Sequence, residues 1–314
     1  MSRGIELRVL FFGMLGEFSI VPLKRLIESG SEVCGVVVPT LKGEGGRMKS
    51  ESLTFRLPLL PSPVTTNIVT IARARGIPVV EVSKLSAPES LTAVAVYQPD
   101  VICVACFPQI FSPELLALPR FGCLNLHPSL LPAYRGPAPL FWQFRNGETR
   151  TGVTIHFMDE GTDTGDIALQ REIVFPDGIN AVEADRLCAE AGAELVVEAL
   201  RLLERGECPR RKQSDASRDV PPGSLCHPWP SRADFEITAD WSARRAFNFI
   251  RGAEAWGMPF EILAGPERIR VRRALAFSPD EKLGEAWHRK GDEAWVQFSP
   301  GVLQAETFRR NVAT

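Results

Sequence analysis

The chain has 314 residues, 45% of them hydrophobic and 24% charged, with a formal net charge of −2. That length predicts two domains rather than one, the composition is that of a globular protein, and the charge excludes a uniformly basic, nucleic-acid-coated chain while leaving room for a local basic face. Seven cysteines, an odd number without a framework, predict reduced thiols in a cytoplasmic protein. Cys103 and Cys106 form a C-x-x-C inside a predicted strand but lack the second pair that zinc needs, so no metal is expected. Neither a leader-like N-terminus nor a long apolar run is present, and no membrane span or secretion is expected.

In chain order, the apolar run Leu7 to Phe12 ends at Gly13 and predicts a buried parallel strand. Helical periodicity over Phe18 to Ser29 follows, stopped by Gly30, and Glu32 to Val38 is a second strand. This βαβ opening predicts a doubly wound parallel sheet. The turn Gly13-Met14-Leu15-Gly16 lacks the third glycine of a dinucleotide fingerprint, and Val38 and Pro39 stand where an acidic residue would hold a ribose. Both features disfavour a nicotinamide cofactor. Residues 39 to 63 read as a long loop carrying Lys42, Arg47, Lys49 and Arg56, placed to meet an anion or simply solvated.

A helix over Val64 to Arg75, a strand over Ile77 to Val82, a helix over Pro88 to Tyr97 and a strand over Asp100 to Ala105 continue the alternation. Ser112-Pro113-Glu114 opens another helix, with Ser112 as its cap. Phe121 to His127 is a fifth strand, Pro139 to Asn146 a helix, and Gly152 to Met158 an alternating strand. Ile167 to Val174 is a further strand, and Ala181 to Glu204 a long amphipathic helix. Residues 209–230 read as a linker between a catalytic domain, 1–208, and a second domain, 231–314. Beyond it come a helix over Ser242 to Arg251 and strands over Phe260 to Ala264, Ile269 to Ala276, Ala294 to Phe298 and Val302 to Phe308. Turn signals at Gly265-Pro266 and Pro300-Gly301 make this a small barrel-like β domain.

Asn125 and His127 stand two apart at the end of the fifth strand, on one face, and Pro128 stops the ladder. Ligands of open α/β sheets bind at such C-terminal ends. An amide donor beside an imidazole has the parts for carbonyl chemistry: one holds a developing oxyanion, the other moves a proton. Asp159, Glu160, Asp163 and Asp166 compete for the role of the carboxylate that orients the imidazole, and spacing does not choose among them. His156, mid-strand, reads as a structural residue that could line the same cleft.

The segment Asn125-Leu126-His127-Pro128-Ser129-Leu130-Leu131-Pro132-Ala133-Tyr134-Arg135-Gly136, with Gly152 to Ile167 containing Asp163-Thr164-Gly165, closely resembles the 10-formyltetrahydrofolate-dependent formyltransferases. It is nearest to the branch that formylates methionyl initiator tRNA. The resemblance covers most of residues 7 to 206 and, more loosely, the C-terminal part through Asp240-Trp241-Ser242 and Phe249-Ile250-Arg251-Gly252. It implies a Rossmann-like formyltransferase domain of α/β class with a small OB-like β-barrel domain behind it. It implies Asn125, His127 and Asp163 as the catalytic set, with Asp163 raising the proton affinity of the imidazole. It implies a folate site lined by Ala105, Cys106, Phe107 and Pro108, by Ser129, Leu130, Leu131 and Pro132, and by Asp159, Glu160, Gly161 and Thr162. Lys42, Arg47, Arg135 and Gly136 are candidate acceptor contacts.

From residue 210 onward there are 17 Lys and Arg against 14 Asp and Glu. Arg268, Arg270 and Arg272 alternate along one strand face, where they could meet phosphates. An RNA acceptor reached through the basic loop, linker and C-terminal domain is therefore expected. A nucleotide-linked amino sugar, or water in a hydrolase, are the alternatives.

Overall fold

The computed structural model describes residues 6–40, 66–213 and 226–308. Lys42 and Arg47, with residues 41–63 of the expected basic loop, lie outside these residues, as does the middle of the expected linker.

The first lobe alternates strand and helix: β1 (Arg8–Gly13), α1 (Glu17–Glu28), β2 (Glu32–Pro39), α2 (Ile68–Ala74), β3 (Val79–Val82), α3 (Pro88–Ala95), β4 (Val101–Ala105), α4 (Pro113–Leu116) and β5 (Cys123–His127). Then come α5 (Pro139–Asn146), β6 (Arg150–Phe157), β7 (Ile167–Val174) and α6 (Ala181–Arg205). The strands form one sheet in the order β3-β2-β1-β4-β5-β6-β7. Its first five members are parallel, whereas β6 runs antiparallel to β5 and β7 antiparallel to β6. The expectation of an all-parallel sheet is corrected here: no helix crosses between β6 and β7, and a short loop can reverse the chain only into an antiparallel neighbour.

The alternation of apolar residues sorts β1 between two cores. Val9 and Phe11 face the larger one, with α1 and α6, while Leu10 and Phe12 face the smaller one on the opposite side. Burial on both faces is why β1 reads as a continuous apolar run. α6 carries a capping box in which Asn180 accepts from Glu183 N and the Glu183 side chain accepts from Asn180 N, and it ends at left-handed Gly206. It lies so close to the sheet that a Cβ on Gly192 would sit 2.3 Å from Leu126 Cδ1.

Two local expectations change. β6 is buried on both faces from Thr151 to Phe157 instead of alternating, because its polar residues find partners inside. Thr154 Oγ1 donates to Ser129 O (2.6 Å), and Thr151 pairs with Gln143. Cys106 lies past the end of β4 with φ of 60°, so the C-x-x-C does not sit within one strand.

The second lobe contains β8 (Glu236–Thr238), α7 (Ala243–Ala253), β9 (Phe260–Ala264), β10 (Glu267–Ser278), β11 (Trp287–Lys290), β12 (Glu293–Gln297) and β13 (Val302–Thr307). They make a second sheet in the order β11-β12-β13-β10-β9-β8, with α7 packed against it. β8 and β11 were not expected, being too short to show a period. The turns at Gly265-Pro266 and Pro300-Gly301 do join antiparallel pairs, β9 to β10 and β12 to β13.

The two lobes share one hydrophobic core. Phe141 of α5 meets Phe235 at 5.1 Å and Phe249 of α7 at 5.4 Å between ring centroids. Gly252 of α7 gives Phe144 its room: a Cβ there would lie 2.4 Å from the ring. Truncating a buried phenylalanine at such a junction typically costs about 3–5 kcal/mol. Arg145 donates across the same seam to the carbonyls of Asp234 and Glu236.

Candidate active site

β5 ends where a ligand of an open sheet would sit, and it delivers two polar side chains there. Leu124 and Leu126 face the larger core, so Asn125 and His127 point to the other side. Antiparallel pairing of β6 sets His156 directly opposite Asn125. The loop after β6 then carries Asp163, left-handed at φ 54°, back over the end of β5.

Four side chains converge. Asn125 Nδ2 donates to Asp163 Oδ1 (3.3 Å) and lies 3.1 Å from His156 Nε2. Asp163 Oδ2 accepts from Gly136 N (2.9 Å) and lies 3.6 Å from His127 Nδ1. The tautomers follow from the partners, since a carbonyl can only accept. His156 Nδ1 is 3.0 Å from Phe157 O, so it carries the proton and leaves Nε2 to accept from Asn125. His127 Nε2 is 2.8 Å from Tyr134 O, so it carries the proton and Nδ1 is the basic nitrogen beside the carboxylate.

The expected effect of Asp163 on the His127 imidazole is present but outweighed. Burial lowers its pKa and outweighs the Asp163 carboxylate, which raises it. The imidazole is therefore neutral at neutral pH, a base with an open lone pair. Asp163 is held ionised: burial works against its charge, but the positive charge that the His127 and His156 rings gain on protonation, together with the Gly136 amide, holds its pKa well below the usual carboxylate range.

The turn that brings Gly136 to Asp163 is tightly built. Gly136 has φ of 108°, and a Cβ there would lie 2.2 Å from His227 O. Only glycine meets both demands. The turn's interior is wired by Ser129 Oγ donating to Ala133 O (2.7 Å), Leu131 N donating to Thr154 Oγ1 (3.1 Å) and Gln170 Nε2 donating to Leu131 O (2.8 Å).

Among the residues expected to line a folate site, Ser129, Leu131 and Pro132 are buried within this turn, and Leu130 packs against Gly152. Cys106 and Pro108 are exposed, Phe107 half-buried, Ala105 buried at the end of β4, and Asp159, Glu160, Gly161 and Thr162 all exposed. Asp159 Oδ1 accepts from Gly161 N (3.1 Å) and Thr164 Oγ1 (2.6 Å), which shapes that loop. Arg135, a candidate acceptor contact, instead donates from Nε and Nη2 to Gln213 Oε1.

His156 lines the same cleft, as expected, between Asn125 and Phe157 O, whereas Gln213 was not among the expected residues. The signal for His156 was an imidazole on the strand that follows the one bearing Asn125. Gln213 sits in the expected linker, where sequence offers no such signal. No group of His, Cys, Asp and Glu that could hold a metal occurs among the described residues, and no described helix is long and apolar enough to cross a membrane.

The formyl transferase domain family matches residues 59–200, the stretch that contains this cluster. The chain is 37% identical over 278 residues to a methionyl-tRNA formyltransferase of Geobacter sulfurreducens, covering 88% of this chain and 80% of the relative. It is 37% identical over 302 residues to the Geobacter metallireducens protein of the same name, covering 96% and 90%. Among solved structures, an N-formyltransferase from Helicobacter canadensis, in complex with folinic acid and dTDP-3-aminofucose, superposes with a TM-score of 0.65 at 14% identity. It covers 96% of this chain and 99% of that one, a likeness of fold across both lobes. With more than a third of its residues shared along nearly the whole length of such relatives, and the Asn125–His127–Asp163 cluster inside the matched domain, the chain belongs to the formyl transferase family.

Proposed function

We propose that the protein transfers a formyl group from 10-formyltetrahydrofolate to the amino group of methionyl initiator tRNA. One observation carries the choice of acceptor: the similarity to methionyl-tRNA formyltransferases runs through the second lobe, over 96% of this chain. The Helicobacter canadensis N-formyltransferase, in complex with dTDP-3-aminofucose, shares the fold at only 14% identity.

The site fits a folate-type donor. Phe107 and Met158 pack on the core that also holds Val104, which pairs with Asn125 in register. They offer apolar walls to a flat heterocycle on the face where Asn125 points, and the exposed loops 106–108 and 159–162 stand beside them. The donor supplies an activated carbonyl, and no metal is needed to polarise it. The Asn125 amide holds the carbonyl oxygen as it becomes negative, exchanging its long 3.3 Å bond to Asp163 for a stronger one. His127, neutral with Nδ1 bare, takes the proton from the attacking amine. Ionised Asp163 stabilises the imidazolium that results, and the proton then passes to the departing folate nitrogen.

The C-terminal lobe is read as an OB-like module that adds RNA contacts, together with residues 209–230 and the basic loop around Lys42 and Arg47. The domain limits 1–208 and 231–314 belong to this reading. The test is an acceptor panel: purified protein, 10-formyltetrahydrofolate and either charged methionyl initiator tRNA, nucleotide-linked amino sugars, or no acceptor. Formylated methionyl-tRNA is expected. Transfer only to a sugar, or donor turnover without acceptor, would replace the proposed substrate.

A further inference from the structure

Gln213 lies fifty residues from Asp163 in the chain, yet its side chain is 3% exposed and all four of its hydrogen-bonding capacities are used. Nε2 donates to Asp163 O (2.8 Å) and to Gly165 O (2.7 Å). Oε1 accepts from Arg135 Nε (3.0 Å) and Nη2 (2.6 Å). The backbone just before it is also pinned: Arg211 N donates to Ile167 O (2.9 Å) and Ile167 N to Arg211 O (2.8 Å), a rung added at the start of β7.

The contacts close a ring. Gly136 N holds the Asp163 carboxylate from one side, the neighbouring Arg135 side chain holds Gln213, and Gln213 holds the Asp163 backbone from the other side. The far end of the expected linker grips the same turn, with His227 N donating to Arg135 O (3.0 Å) and the His227 ring stacked between Tyr134 and Trp142. Asp163 sits in the left-handed region at φ 54°, a conformation a non-glycine residue holds only when its surroundings fix it.

We infer that Gln213 is a positioning residue: from the segment joining the two lobes it fixes the backbone of the catalytic-loop residue Asp163, and through it the carboxylate beside His127. The inference rests on the formyl-transfer reading only for its kinetic consequence.

The discriminating variant is Gln213→Glu. It keeps size and the acceptor for Arg135, now as an ion pair, but replaces two donated bonds to carbonyls with two repulsions. A residue that only packed would lose stability on this change but leave the His127 signals where they are. Gln213→Met, similar in length and without donors, serves as the second variant should Gln213→Glu fail to fold. Two readouts are taken on whichever is folded by its thermal melt. The first is formylation kinetics with methionyl initiator tRNA, where kcat is expected to fall at least ~10-fold with the KM for the donor within about twofold. The second is histidine nitrogen NMR of the free protein, simplified by there being four histidines. There the His127 signals are expected to shift as Asp163 moves away. Unchanged kcat together with unchanged His127 signals in a folded variant would overturn the inference. Should the unsubstituted protein formylate no acceptor, the functional reading falls, and the His127 signals alone still decide whether Gln213 positions Asp163.

Discussion

Two groups of polar residues stand two apart on strands of this chain, at the end of β5 and along β10, and they end in opposite situations. Asn125 and His127 on β5 meet a single carboxylate, with His156 supplied by the neighbouring strand. On β10, Arg268, Arg270 and Arg272 do alternate on the exposed face, but acids answer two of them: Arg268 lies 3.1 Å from Glu236 and 3.2 Å from Glu261, and Arg272 3.6 Å from Glu306. Arg270 stands over the Phe308 ring instead. Spacing along a strand says which residues share a face. What stands opposite them is decided by neighbours far away in sequence, and that decides whether a polar row is a site or a solvated, neutralised surface.

The largest effect expected on the β5 side is from His127→Ala. With the proton acceptor removed, kcat for methionyl-tRNA should fall at least ~100-fold while the folded state persists. A folded variant with near-normal kcat would erase the distinction between the two rows. His156→Leu sharpens it: Asn125 keeps Asp163 but loses its second partner, so kcat should drop about tenfold with little change in the donor KM. A loss as deep as that of His127→Ala would make His156 a proton carrier.

The pH dependence of stability tests the β5 side. His127 has a folded pKa below its ordinary 6.5 because burial disfavours the imidazolium. The unfolded chain therefore binds a proton that the fold resists, and stability falls as pH drops below about 6.5. Asp163, held low by its partners, contributes stability above the ordinary carboxylate value of 3.8 that is lost at still lower pH. Melting temperature should thus decline from about pH 7 to about pH 5, and less steeply in His127→Gln. Equal slopes would show that His127 is not buried neutral. The smallest effect belongs to β10. Arg270→Ala should weaken methionyl initiator tRNA binding several-fold and reduce its salt slope by about one, whereas Arg268→Ala should change it less than about twofold. The reverse order would mean that the glutamates release Arg268 to the RNA.

Much of this was legible in the sequence because the informative residues are local. β5 announces itself by an apolar run broken by Asn125 and His127, and the helix α5 starts at Pro139 and stops at left-handed Gly147 as those residue types demand. β6 misled because threonine and histidine in a strand suggest a wet face. Here Thr151, Thr154 and His156 are all hydrogen-bonded inside, which no alternation reveals. Gln213 was hidden for a related reason: its partners are main-chain carbonyls and Arg135, so the need for an amide at that position exists only once the loops have met. The net charge on His127 also lay beyond the sequence, since the resemblance supplied the carboxylate neighbour but not the depth of burial that outweighs it.

The central claim is that the Asn125 amide holds the oxygen of the formyl group during transfer, and single-turnover formylation tests it most directly. Enzyme in excess, saturated with 10-formyltetrahydrofolate, is mixed with charged methionyl initiator tRNA, and the rate is compared between the unsubstituted protein and Asn125→Ala. The account predicts a transfer rate at least ~100-fold slower in the variant, with donor affinity within about threefold. An Asn125→Ala protein that transfers formyl at the unsubstituted rate would contradict it.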